Sequence, residues 1–164
     1  MILVDTSVYI AALTDKEIEN MLKCAEKKAF IISSEVIEKE INKASDFLRS
    51  IGKKQDAEKL KELYNSTLSG TIKLTDRVIN VSDKYTDKVR KKFGKDKAKK
   101  MKDDFRIVAS ASIGGIKDIA TFNRKTMANE EIVQIYKEIN SKERLKTPEF
   151  IKSKDDLFRF LSSS

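Results

Sequence analysis

The sequence predicts an α/β protein built on a parallel sheet. Short apolar runs recur along the chain: Ile2, Leu3 and Val4; Phe30, Ile31 and Ile32; Ile119, Ala120 and Thr121. They are too short for helices and apolar without alternation, as strands covered on both faces must be. Between them lie long segments whose apolar residues recur at three- and four-residue spacing, the mark of amphipathic helices. Strands alternating with helices give a parallel sheet with helices on both sides.

The elements follow in order. Ile2, Leu3 and Val4 form the first strand, ending at Asp5. Ile18, Met21, Leu22, Ala25 and Ala29 space as a helix stripe. Phe30, Ile31 and Ile32 form a second strand, ended by Ser33 and Ser34, where a serine caps the next helix. That helix buries Val36, Ile37, Ile41, Ala44, Phe47 and Leu48 and stops at Gly52. Ala57, Leu60, Leu63, Tyr64 and Leu68 form another stripe, closed by Gly70. Residues 71–74 alternate weakly, as a third strand. Val78, Val81, Tyr85, Val89 and Phe93 are helical, with Gly94 beyond. Residues 105–113 are a strongly apolar helix stopped by Gly114 and Gly115. A fourth strand over residues 119–121 precedes a helix marked by Ile132, Ile135, Tyr136 and Ile139. Pro148, the one proline, leads into Phe150 and Ile151, an edge strand. Leu157, Phe158 and Leu161 predict a last helical turn or two. No linker, repeat or low-complexity stretch interrupts residues 1–164, which read as a single domain.

Composition narrows the chemistry. The chain of 164 residues is 40% hydrophobic, enough for a core. No apolar run approaches the ~20 residues of a membrane span. The start lacks a signal-peptide pattern, and one cysteine, Cys24, forms no internal disulfide, so a reducing, cytoplasmic setting is expected. There is no histidine. Ser-His-Asp and Cys-His catalysis are excluded, as are histidine- and thiolate-ligated zinc sites. Any metal is a hard cation held by oxygen, Mg²⁺ or Mn²⁺.

The net charge is +8. Residues 84–102 hold ten Lys and Arg against Asp87 and Asp96, so this one stretch carries the whole excess. Lys91, Lys92, Lys99 and Lys100 lie within it, and glutamate does not. A localised basic strip is the footprint of a polyanion such as RNA; the plainer alternative is a solvated lysine-rich helix. Tyr85 and Phe93 fall in the strip at helix-stripe spacing and read as core.

Three acids stand where apolar residues belong. Asp5 closes the first strand, in the place where ligands bind open parallel sheets; alternatively it caps the helix beginning near Ser7. Glu40 lies four after Val36, three after Ile37 and four before Ala44, on an apolar stripe. An inward carboxylate is paired, protonated or metal-bound. Asp104 heads the stripe of Ile107, Val108 and Ala111, or else caps that helix. Three ionised neighbours raise one another's pKa unless a cation offsets them.

At these residues the chain resembles the PIN-domain nucleases, closest to VapC-like archaeal PIN proteins. The stretches ILVDTSVYI, SSEVIEKEI, DDFRIVASAS and DIATFNRKTM look like the family's four motif regions, in order, over residues 1–130. The resemblance implies a three-layer α/β/α fold with strand order 3-2-1-4-5, residues 131–164 adding a helix, an edge strand and a final helix. It implies a Mg²⁺- or Mn²⁺-dependent endoribonuclease, of a kind whose VapC-type members are toxins neutralised by an antitoxin protein. Asp5, Glu40 and Asp104 match the first three acids and become the expected metal ligands and catalytic groups. Thr6 fits the residue after the first acid; Ser7 stands where Asn is frequent. Thr121 is in place, but the fourth acid's position holds Asn123, which offers only an amide. Asp118 is expected at the far end of its strand.

The expected reaction is in-line hydrolysis leaving 5′-phosphate and 3′-hydroxyl ends. Thr6, Ser7 and Asn123 are expected to position water or phosphate oxygens, Arg124 and Lys125 to hold a flanking phosphate, and Lys91, Lys92, Lys99 and Lys100 to bind the RNA. An antitoxin partner and a homodimer are both admitted; neither surface is legible, and no membrane association is expected. Two rivals remain: a PIN fold without catalysis that binds RNA as a scaffold, and an aspartyl-phosphate phosphatase. The second wants an Asp two residues after the nucleophile, where this chain has Ser7.

Overall fold

A computed structural model describes residues 1–28 and 30–163. The centre is β1 (Ile2–Val4), buried along its whole length. It pairs in parallel with β2 (Ile31–Ser34) on one side and β4 (Asp118–Ala120) on the other. β3 (Gly70–Ile72) extends the sheet beyond β2 and β5 (Glu149–Ile151) beyond β4. The order is β3-β2-β1-β4-β5, all parallel, as expected.

Helices α1 (Thr6–Ala12) and α2 (Lys16–Lys28) connect β1 to β2, and α3 (Glu35–Ser50) and α4 (Lys54–Thr67) connect β2 to β3. The crossover to β4 is α5 (Asp76–Phe93), α6 (Lys95–Lys100) and α7 (Lys102–Ile113). α8 (Glu130–Lys142) leads to β5, and α9 (Lys154–Ser163) follows. α1, α2, α4 and α9 pack together, α5 packs on α6, α7 and α8, and α3 touches both α4 and α7. The sheet is thus the middle of three layers.

Several elements differ from the sequence expectation. Phe30 is 69% exposed and precedes β2, while Ser33 and Ser34 belong to it. Ser34 does cap α3, accepting from the Ile37 N–H at 3.3 Å. Gly70 opens β3 rather than closing α4. Phe47, expected in the core, is 63% exposed. The buried line of α3 runs through Ile37, Ile41 and Ser45, whose hydroxyl donates to the Ala57 carbonyl of α4. Position 47 lies about 200° round the helix from Ser45 and so turns outward. Phe158 is likewise exposed, and α9 is longer than the turn or two expected. Ala29, expected in the α2 stripe, lies outside the described residues.

The strip does not form one helix. α5 ends at Gly94, whose φ of 96° suits glycine, and α6 and α7 follow in a new direction. Tyr85 is fully buried and Phe93 half-buried against the core, as expected. Tyr85 donates its hydroxyl to Asn140 Oδ1, and Asn140 Nδ2 donates to Ser112 Oγ at 3.0 Å and to Thr147 Oγ1 at 3.0 Å. This buried network ties α5 to α7 and α8 and so fixes the helix that carries Asp104.

Candidate active site

The chain beyond β1 places Asp5 at the carboxyl edge of the sheet, its N–H donating to the Ala120 carbonyl at 2.9 Å. Asp5 is buried, and its Oδ2 accepts from the Ser7 N–H at 3.3 Å, the Ser7 hydroxyl at 2.5 Å and the Thr121 hydroxyl at 2.9 Å. It therefore caps α1, as the structural alternative held. All three bonds use one oxygen, however, and none involves Oδ1. Ser7 Oγ also accepts from the Phe122 N–H at 3.0 Å. Ser7 thereby fastens the end of β1 to the chain leaving β4.

Glu40 approaches from the second turn of α3. The Thr6 hydroxyl donates to its Oε2 at 2.6 Å. Burial pushes its carboxyl up to about 7, opposed by the Thr6 bond and reinforced by the negative charges of Asp5, Asp104 and Asp103. Asp104 comes from the first turn of α7. It does not cap that helix: the capping position is Met101, which makes no side-chain bond. Its Oδ2 accepts from the Thr126 hydroxyl at 2.6 Å and from Asn123 Nδ2 at 3.5 Å. Burial raises its carboxyl to about 6, with Asp5 and Asp103 adding to the rise against the Thr126 bond. The three acids thus share one electrostatic neighbourhood, although they come from three separate parts of the chain.

Asn123 is committed. Its Oδ1 accepts from the Thr126 N–H at 3.3 Å, so the amide nitrogen faces Asp104. Its amide nitrogen supports Asp104 and its oxygen turns the loop. Thr126 was not legible as a site residue; its only sequence signal is a small hydroxyl three residues after Asn123. Asp103 lies off the apolar face of α7, so periodicity sets it apart from Asp104, yet it is close enough to act on Glu40 and Asp104. Asp118 pairs with Ile2 and Glu149 at the opposite edge of the sheet.

Among the described residues no lysine or arginine forms an ion pair with Asp5, Glu40 or Asp104; Arg106 reaches only Asp103, at 3.9 Å. The donor set is carboxylate oxygen, gathered without a protein cation to neutralise it. That chemistry fits a hard divalent ion. Among the described residues the acids do not close into a ring tight enough to enclose one, and hydrogen bonds from Thr6, Thr126 and Asn123 hold two of them instead.

The raised carboxyls carry a stability consequence. Glu40 and Asp104 bind protons more readily folded than unfolded, so their effect is nil below the ordinary values of 4.5 and 3.8. It destabilises progressively as pH rises towards about 7 and about 6. In chelator the Tm should fall over this window, and millimolar Mg²⁺ should raise it more at pH 7.5 than at pH 5. Thermal melts in EDTA and in MgCl₂ at both pH values check this; an equal Mg²⁺ effect at the two would count against shared ion binding.

Lys91, Lys92, Lys99 and Lys100 are all exposed. Lys84, Lys88 and Arg90 pair with Glu143, Glu138 and Asp87, while among the described residues Lys91, Lys92, Lys95, Lys97, Lys99, Lys100 and Lys102 have no ion-pair partner. Lys92 and Lys97 lie over the Phe93 ring, 5.2 and 4.3 Å from its centroid. α6 leads through Met101 directly into the turn that bears Asp104. Arg124 and Lys125 are exposed beyond β4; Arg124 Nε donates to the Lys152 carbonyl at 2.8 Å, directing it towards the chain after β5.

No family model matches the sequence, and no curated protein matches it either. Among solved structures, a chain from the crystal structure of VapBC2 from Rickettsia felis bound to a DNA fragment from their promoter matches with a TM-score of 0.57. The match covers 76% of this chain and 90% of that one at 20% identity. The fold is PIN-like. At that identity the likeness is one of architecture, and in this PIN-like frame Asp5 follows β1, with Glu40 on α3 and Asp104 on α7 close enough to share its electrostatics. No helix among the described residues is long and apolar enough to cross a membrane.

Proposed function

We propose that this protein is a Mg²⁺- or Mn²⁺-dependent endoribonuclease of the VapC kind, working at Asp5, Glu40 and Asp104. The observation that carries this is the shared electrostatic neighbourhood of three carboxylates at the sheet's edge, with no lysine or arginine paired to them among the described residues. Asp5, Asp104 and Glu40 would hold the ion, which when bound compensates their charge and acts as a Lewis acid towards the phosphate.

The chain's own residues do the rest. Ser7 and Thr121 fix Asp5, Thr6 fixes Glu40, and Thr126 with Asn123 fixes Asp104. Without histidine, a carboxylate takes the proton from the attacking water. Glu40, held through Oε2 by the Thr6 hydroxyl, takes that role. Water adds to phosphorus in line, the bond to O3′ breaks, and 5′-phosphate and 3′-hydroxyl ends result. The lysines of α5 and α6 that form no ion pair among the described residues hold the RNA backbone beside the α7 turn, with Arg124 and Lys125 for a flanking phosphate. A VapC-type toxin would have an antitoxin partner and a cytoplasmic site of action; the VapBC2 likeness supports that reading.

The test is cleavage of single-stranded, transfer and ribosomal RNA by purified protein in Mg²⁺, Mn²⁺ and EDTA. Metal-dependent endonucleolytic products with 5′-phosphate ends are expected. Binding without cleavage in any metal favours the second reading, an RNA-binding scaffold. That reading has its own observation in Asn123, which offers Asp104 a hydrogen bond where a fourth acid would add charge.

A further inference from the structure

We propose that Phe47 is a base-stacking residue, its exposed ring receiving an unpaired nucleobase of the RNA whose backbone reaches Asp5, Glu40 and Asp104. The inference rests on the ribonuclease reading and adds to it a contact that takes hold of a base.

Phe47 is 63% exposed on α3, the helix that brings Glu40 to the site. Seven residues separate the two, about 10.5 Å along the axis and about 20° short of two full turns. They therefore share one flank of the helix. At Glu40 that flank meets the acids: its Oε2 accepts from Thr6, the residue after Asp5, at 2.6 Å, and the charges of Asp5, Asp104 and Asp103 act on it. Lys43 lies between them on the same flank, exposed and without an ion-pair partner among the described residues. An acid, a cation and a ring in line match a scissile phosphate, a neighbouring phosphate and a base. At about 3.4 Å per stacked nucleotide the ring stands about three nucleotides from the acids.

The other exposed phenylalanines, and Phe93 in the basic strip, are unsuited. Phe93 already has Lys92 and Lys97 on its ring. Phe30 precedes β2, at the sheet edge opposite the acids. Phe158 borders a groove with Met21 and Cys24, between α2 and α9. A ring stacks on any base, so this contact adds affinity for unpaired strands without selecting sequence.

The chain contains no tryptophan, so Phe47→Trp installs one indole that can be excited apart from the four tyrosines. In an Asp104→Asn background that leaves RNA intact, a single-stranded oligonucleotide should quench the indole. The same oligonucleotide abasic at every position should bind, by anisotropy, with little quenching. Phe47→Ala should weaken single-stranded RNA about tenfold or more while leaving duplex RNA unchanged. RNA bound with the indole unquenched overturns the inference and leaves the nuclease reading standing. No RNA bound by any variant overturns both. Sedimentation showing that Phe47→Ala dissociates a dimer, with the indole deaf to RNA, gives the ring to a second copy of the chain and also overturns the inference.

Discussion

Asp104→Asn is expected to abolish RNA cleavage, slowing it by at least about 10³-fold, while the protein stays folded and still binds RNA. Asp104 is held between Thr126 and Asn123 at the mouth of α7, and its carboxyl is raised to about 6 by burial and by Asp5 and Asp103. An amide keeps the acceptor for the Thr126 hydroxyl and removes the negative charge. Both ion binding and the charge balance around Glu40 should suffer. Because the lost charge is one the folded state disfavours, the chelated variant should melt no lower than the parent at pH 7.5. Cleavage assays with radiolabelled RNA, together with thermal melts, read both effects. Unchanged Mg²⁺-dependent cleavage by the variant would remove Asp104 from the chemistry.

Replacing Lys91, Lys92, Lys99 and Lys100 together by glutamine should weaken RNA binding by about 10²- to 10³-fold at 0.1 M salt. Each phosphate contact on a single strand contributes about 0.7 to the slope of log K against log salt. Four lost contacts flatten that slope by about 2.8, and at 0.1 M the same number sets the loss in affinity. The four side chains are exposed and without ion-pair partners among the described residues; removing Lys92 also takes a cation from the Phe93 ring, where Lys97 remains. Filter binding or anisotropy across a salt series measures both quantities. A slope equal to the parent's would return these lysines to the role of solvated surface.

The frame was legible because its signals are local. Ile2, Leu3 and Val4 could only be a buried strand, and the alternation of such runs with helical stripes fixed a parallel sheet. Glu40 could be singled out because a carboxylate on the apolar side of Val36, Ile37 and Ala44 contradicts its surroundings. The order of the strands followed from the likeness of four short motifs to PIN domains, not from periodicity. Phe47 reads as core in the sequence because a stripe at three- and four-residue spacing does not say where a partner helix stops; α4 covers Ser45 and leaves position 47 open. The holding role of Thr126 was invisible, since a hydroxyl in a turn has no pattern until the loop brings it against Asp104. The capping of α1 by Asp5 and its place in the acid group proved compatible rather than rival. A carboxylate has two oxygens, and the cap uses one.

Gly94 sets the course of the basic surface. With φ of 96° and ψ of 166° it occupies backbone territory closed to side chains with a Cβ. The lysines before it and those after it are therefore aligned by the main chain, not by their own rotamers. Arginine can replace any of these cations without altering the path of the main chain, whereas a larger residue at the corner would keep every charge in the sequence and change where α6 carries it.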